Sequence, residues 1–349
     1  MKKKIAIFGT YPPPIGGTSI HVKRLSLLLS NEYDVTVYDT YGSGECNENV
    51  ISIKNYKKFL LAYFFNGKDD IIHSHTHSWN ERLILSIIAK LKRKKIIFTY
   101  HSLREQWSEK VLLNKVVCRL VFLLSDMNIV PDELIKNELV SWGLKVDKVK
   151  IIPTFLLPNL NKINKCDKKK DFKIDKEIII CANASNTNKY KGQDLYGIDM
   201  CIDLCHKLNK DFNVKFIFAL TRITDEAYYM DLNRMIEYYN LKDKFKIIIS
   251  DKSFLPIINE ADIFIRPTNT DSFGISVAEA IALNTPAVAS NVCKRAEGTI
   301  LFENRDCNDL YNKVKKVINN YDVYKNTLKN IKNKDYSSEI LNLYKELLK

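Results

Sequence analysis

Ile263-Phe264-Ile265-Arg266-Pro267-Thr268-Asn269-Thr270-Asp271-Ser272-Phe273-Gly274-Ile275-Ser276-Val277-Ala278-Glu279-Ala280 is the stretch that fixes the fold class. A short apolar run gives way to a polar loop, and a helical pattern of small residues follows over 276–283. Asn284-Thr285-Pro286 closes that pattern, and a second apolar run, Ala287–Ala289, comes directly after it. Strand, loop, helix and strand in this order make a βαβ unit, which needs parallel pairing and a helix lying over the sheet.

The same rhythm extends in both directions. Towards the N-terminus, apolar runs predict strands at Ile5–Phe8, Val35–Tyr38, Ile71–His73, Ile96–Tyr100, Met127–Val130 and Val149–Ile152. Helical periodicity fills 18–31, 56–65, 79–92, 108–125 and 132–142 between them. The pattern pauses in a Lys/Asn-rich stretch, Pro158 to Lys170, which reads as a linker. It restarts with strands at Ile178–Ala182, Val214–Leu220, Phe245–Ile249, Ile263–Arg266 and Ala287–Ala289, and helices near 193–210, 225–240, 276–283 and 307–319. An amphipathic pattern over Ser338–Leu348 predicts a last helix.

The expected fold is α/β: two Rossmann-like, doubly wound parallel-sheet domains facing across a cleft. The expected boundaries are 1–158 for the first domain, 159–175 for the linker, 176–330 for the second domain, and 331–349 for a C-terminal helix packing back toward the first. Open α/β sheets take ligands outside the carboxyl ends of their strands, so loops there hold the candidate residues.

Bulk properties narrow the class. The chain has 349 residues, 46% hydrophobic and 27% charged, a globular composition long enough for two domains. No run reaches the ~18 apolar residues of a membrane span, and Ile5–Phe8 after Lys2-Lys3-Lys4 is too short for a secretory signal. Eight cysteines without CxxC spacing read as free thiols in a reducing cytoplasm. The net charge is +13, and residues 1–165 carry 25 Lys and Arg against 15 Asp and Glu. An anionic membrane surface or a diphosphate-linked acceptor would suit that excess. The Lys residues are dispersed and no nucleic-acid motif occurs, so no nucleic-acid partner is expected.

Candidate site residues cluster where strands end. Gly16 and Gly17 precede the first helix and free backbone N–H groups for an anion, with Thr18 or Ser19 as a possible N-cap. This is not GxGxxG, which argues against a dinucleotide. His73, His75 and His77 alternate and would share one side of an extended segment, lining a pocket or holding a metal. His101 follows the strand 96–100, where an imidazole can hydrogen-bond a sugar or phosphate oxygen. Lys191-Gly192 is expected at the loop-to-helix step, an ammonium beside a helix N-terminus. Asp271 and Glu279 are paired carboxylates around Gly274, Ile275 and Ser276, whose N–H groups would face an anion. Ser276-x-x-Glu279 also fits a capping box.

Together Pro13-Pro14-Ile15-Gly16-Gly17 with His21, His73-Ser74-His75, Thr99-Tyr100-His101, Lys191-Gly192, and Asp271 to Glu279 with Asn284 to Ser290 resemble glycosyltransferase family 4 of the GT-B fold. The resemblance covers nearly the whole chain. It implies a nucleotide-sugar donor in the C-terminal domain, with Glu279 on the ribose, Asp271 reaching the transferred sugar, and Lys191 on the diphosphate. It further implies that His101 approaches the sugar and that the Gly16-Gly17 loop and His21 lie near phosphate and acceptor. The family reaction retains anomeric configuration. No cofactor and no metal are expected, and no Asp-x-Asp occurs.

Three departures stand out. The first acid is Asp271 where the family has Glu, and Asn284 replaces a usual Gly. Asn183-Ala184-Ser185-Asn186 occupies the place of a Gly-Arg pair that contacts phosphate. The region looks most like the branch from capsule and O-antigen clusters. That implies a lipid-linked or oligosaccharide acceptor at the cytoplasmic membrane face. A non-hydrolysing nucleotide-sugar 2-epimerase and a non-catalytic sugar-nucleotide-binding subunit are the alternatives.

Overall fold

The computed structural model describes residues 2–42, 48–103, 112–160, 177–331 and 335–349. The chain divides into two compact units, Met1–Leu156 with Asp335–Lys349, and Leu157–Lys334. Most of the expected linker, from 161 to 175, lies outside the described residues.

In the first unit the strands are β1 (Lys4–Gly9), β2 (Asp34–Asp39), β3 (Val50–Ser52), β4 (Ile71–Ser74), β5 (Lys95–Thr99), β6 (Met127–Val130) and β7 (Val149–Ile151). They form one sheet in the order β3-β2-β1-β4-β5-β6-β7, with every pairing parallel. The helices are α1 (Gly17–Leu29), α2 (Tyr56–Asn66), α3 (Trp79–Leu91), α4 (Leu112–Leu124) and α5 (Glu133–Ser141). The C-terminal helix, Ser337–Leu347, belongs to this unit as well.

The continuous apolar strands follow from burial on both faces. Along β1, Ile5 and Ile7 point into a core with Val22, Leu25 and Leu29 of α1 and with Ile340, Leu343 and Tyr344 of the C-terminal helix. Ala6 and Phe8 point into the opposite core, with Leu85, Val121 and Phe122. Alternation of period two therefore divides one strand between two helical layers.

The second unit holds β8 (Ile178–Ala184), the short hairpin β9 (Lys189–Tyr190) and β10 (Gln193–Asp194), then β11 (Val214–Leu220), β12 (Phe245–Ile249), β13 (Ile263–Arg266), β14 (Ala287–Ser290) and β15 (Ile300–Phe302). The main sheet runs β12-β11-β8-β13-β14-β15, again parallel throughout. Its helices are α6 (Ile198–Leu208), α7 (Glu226–Tyr238), α8 (Leu255–Glu260), α9 (Ile275–Ala282), α10 (Cys307–Asn319) and α11 (Tyr321–Asn330).

Several local expectations are corrected. The helix expected from 193 begins at Ile198, because Asp194 ends the hairpin and accepts from the N–H groups of Tyr196, Gly197 and Ile198. Strands β3 and β15 have only three residues each, too short to show a period. Helix α1 is capped by neither Thr18 nor Ser19. Its N-cap is Gly16, whose N–H donates to the Ser19 hydroxyl at 3.0 Å.

In each sheet the connection reverses direction at one place, between β1 and β4 in the first unit and between β8 and β13 in the second. Strands diverge there, and a crevice opens outside their carboxyl ends.

Candidate functional site

In the first unit the switch point gathers four histidines from four segments. His21 comes from α1, His73 from β4, His75 from the turn after it, and His101 from the end of the β5 segment. His73, His75 and His21 are almost wholly buried, and His101 nearly so. His75 lies with its ring centroid 4.3 Å from His73, 5.2 Å from His101 and 5.4 Å from His21. His77 is exposed and lies 6.5 Å from His101.

Hydrogen bonds fix most of these rings. His21 donates from Nδ1 to the Thr154 carbonyl at 2.8 Å. His73 has both nitrogens engaged, Nε2 with Thr99 Oγ1 at 2.7 Å and Nδ1 with the Tyr344 hydroxyl at 2.5 Å. His75 Nδ1 and His101 Nε2 share one proton across 2.9 Å, while His75 Nε2 is buried without a partner among the described residues. The set is built for hydroxyl, carbonyl and imidazole partners, and His73 has no nitrogen left for a metal.

Burial keeps the rings neutral. It lowers His21 to about 4, against a backbone bond to Thr154 that raises it, and lowers His73 to about 3 with His21 as a lesser cause. His75 and His101 fall well below the ordinary value, first through burial and then through their histidine neighbours. At neutral pH His101 is therefore a neutral hydrogen-bonding group and not a cation.

The loop before α1 completes this end of the unit. Ser19 holds it by donating to the Pro14 carbonyl at 2.7 Å. The first backbone N–H groups of α1, starting at Gly17, have no acceptor within the helix.

In the second unit the switch point carries Arg266 at the end of β13, with Asp271, Gly274, Ile275, Ser276 and Glu279 following it, and Asn183 to Gly192 running from the end of β8 into the β9–β10 hairpin. Helix α9 starts from Gly274, a left-handed N-cap with φ +78°. Ser276 is thus already inside the helix, and the capping-box reading falls. An added Cβ at Gly274 would stand 2.3 Å from Arg295 Nη1. Glu279 is buried one turn into the helix.

Asp271 is the hub of an ion cluster. Its Oδ2 accepts from Arg266 Nε at 3.1 Å and from Arg295 Nη1 at 2.8 Å, and its Oδ1 accepts from the Ser272 N–H at 3.1 Å. Arg295 spends its other nitrogens on Ser290 and Thr268. Sequence reasoning missed Arg295, which has no neighbouring motif. It passed over Arg266, whose one signal is a charge ending an apolar strand.

Lys191 sits elsewhere than expected. It is exposed at the turn of the β9–β10 hairpin, with φ +51°, and α6 begins only at Ile198. The hairpin intervenes because Asp194 caps the helix and Lys191-Gly192 is needed for the tight turn, where both residues take positive φ.

Comparison with known proteins adds to this geometry. Residues 15–156 match the profile described as Glycosyltransferase Family 4, and residues 164–334 match Glycosyl transferases group 1. Glycosyltransferase MJ1178 of Methanocaldococcus jannaschii is 25% identical over 352 residues, covering 92% of this chain and 90% of that protein. The O-antigen biosynthesis glycosyltransferase WclY of Escherichia coli is 22% identical over 288 residues, covering 79% of this chain and 77% of WclY. Among solved structures, Anabaena HepE in complex with UDP-glucose superposes with a TM-score of 0.75 at 12% identity, covering 99% of this chain and 98% of HepE.

Proposed function

The chain belongs to the GT-B glycosyltransferases of family 4, and on that premise we propose that it moves a sugar from a nucleotide-sugar donor, a UDP-sugar, to a lipid-linked or oligosaccharide acceptor of a surface polysaccharide. The observation that carries this reading is the position of the candidates. In both units they lie at carboxyl strand ends beside the switch point, where doubly wound sheets take ligands. HepE, of the same fold, was solved with UDP-glucose, and WclY acts in O-antigen biosynthesis.

Under this reading the second unit holds the donor. The buried Glu279 carboxylate takes the ribose hydroxyls, and the α9 N-terminus and Lys191 take the diphosphate. The first unit serves sugar and acceptor, with His101 as a neutral hydrogen-bonding group held by His75, and with the Gly16-Gly17 loop and His21 alongside. The reaction retains configuration, and charge on the leaving diphosphate is met by protein cations and N–H groups, without a metal.

Ligand-observed NMR with UDP-, GDP- and TDP-sugars tests this. The wild type is expected to bind the UDP-sugars. Glu279→Ala is expected to bind them about 10-fold more weakly or worse, since a charged hydrogen-bond acceptor is lost. Equal binding by the variant would remove Glu279 from the donor site. Conversion of the donor to its epimer without acceptor would transfer the reading to the 2-epimerase class.

We also place the enzyme at the inner membrane surface. Among the described residues no helix is long and apolar enough to cross a membrane. Helices α3 and α4 nevertheless expose Ile84, Ile87, Leu91, Val116, Leu120 and Leu123. Lys90, Lys92, Arg93, Lys115 and Arg119 stand exposed among them. Residues 108–111, which begin the helical pattern read over 108–125, lie outside the described residues. Such a surface suits an anionic bilayer. Flotation is expected with phosphatidylglycerol vesicles and not with phosphatidylcholine vesicles; equal behaviour with both would end the proposal.

A further inference from the structure

We propose that Arg266, at the end of β13, is the guanidinium that holds the donor diphosphate, presenting one fixed edge to a phosphate oxygen. This rests on the donor reading above and adds to Lys191 a second cation, one held in a fixed orientation.

The three nitrogens of this guanidinium are not equally engaged. Nε donates to Asp271 Oδ2 at 3.1 Å, and Nη1 donates to the Asn183 carbonyl at 3.0 Å and its side-chain oxygen at 3.2 Å. The guanidinium carbon lies 5.2 Å from the centroid of the Tyr196 ring. Nη2 alone has no partner among the described residues, and the side chain keeps only 11% of its exposure. Two nitrogens and a ring face thus hold the plane rigid, and the remaining donor edge is unspent. A guanidinium held in this way loses little freedom on meeting an anion, and it matches phosphate geometry.

Arg295 provides the contrast within the same cluster. Its Nε, Nη1 and Nη2 all bond protein oxygens, and its side chain is 1% exposed. It is a structural clamp with nothing left to offer a ligand. Two guanidiniums share the one Asp271 carboxylate, so the pair keeps a positive charge that Asp271 does not cancel.

Position supplies the chemical class. Arg266 leans on Asn183, at the carboxyl end of β8, across the switch point from its own strand. The loop from Asn183 to Asn186 contains no cation. Arg266 therefore brings to this strand end, from the neighbouring strand, a charge that the loop itself does not carry. In sequence it stands eight residues before Gly274, where α9 begins and its first N–H groups lie open. Of the parts of a nucleotide sugar, the diphosphate is the one that needs both.

Titration calorimetry with UDP and with uridine separates this role from a structural one. In the wild type UDP is expected to bind far better than uridine. In Arg266→Gln that preference should fall about 10- to 100-fold, as for a charge-assisted hydrogen bond, with uridine affinity unchanged. Arg266→Lys should recover part of it. An unchanged preference, or equal weakening of UDP and uridine, overturns the assignment while leaving the donor reading standing. If the wild type binds none of UDP, GDP and TDP, the donor reading falls and takes this inference with it.

Discussion

Lowering the pH from 7 to 5.5 is expected to unfold the first unit before the second. His21, His73, His75 and His101 are buried and held neutral, with His21 lowered to about 4 and His73 to about 3. Unfolded histidine takes up a proton near pH 6.5. Below that value the unfolded chain binds protons that the folded unit refuses, so stability falls as pH falls, until the folded pKa is reached. One pH unit below 6.5 the loss is about 1.4 kcal/mol for each histidine, or roughly 5 kcal/mol for four. That is a large share of an ordinary domain's stability.

In the same unit burial raises Glu81 and Glu138, which bind protons more readily when folded and so offset part of this loss. In the second unit buried Asp194 has a raised pKa, chiefly from burial; it binds its proton more readily when folded, so acid favours that unit. Thermal unfolding at pH 7, 6.25 and 5.5 should show one transition moving down steeply. A His21→Gln, His73→Gln variant should move less with pH, having fewer groups to charge. A midpoint that stays flat from pH 7 to 5.5 would refute the account.

Asp271→Asn is expected to cost about 3–5 kcal/mol of stability, the usual price of stranding a buried charge. Here two guanidiniums are stranded, with Arg295 wholly buried and Arg266 nearly so. For a unit of this size the midpoint should fall by roughly 10 °C. The double change Asp271→Asn with Arg295→Met should restore much of this, because an apolar side chain of similar volume leaves no charge to solvate. Should Asp271→Asn unfold normally and lose turnover alone, Asp271 would instead be a group that touches the sugar and not the holder of the arginines.

The sequence by itself determined the layer plan. Strands such as Ile5–Phe8 and Ile263–Ile265 are apolar at every position, which requires burial on both faces and therefore a parallel sheet between helices. It also placed Gly274 at a strand-to-helix turn and Glu279 one turn into the helix that follows, because a lone glycine between a polar loop and a helical pattern is a local signal. The histidines at 73, 75 and 101 were visible as polar residues at the ends of apolar runs.

Only the tertiary structure decided what those residues do to one another. Tyr344 reaches His73 across 271 positions of sequence, and Thr154 meets His21 across 133. Arg295 reaches Asp271 from beyond the next strand. Such partners carry no periodic mark, since a contact between distant segments is fixed by the order in which strands join the sheet. The Lys191 hairpin was hidden for a different reason. Its strands have two residues each, and Asp194 moved the start of the helix by accepting three backbone N–H groups that the periodicity had assigned to the helix itself.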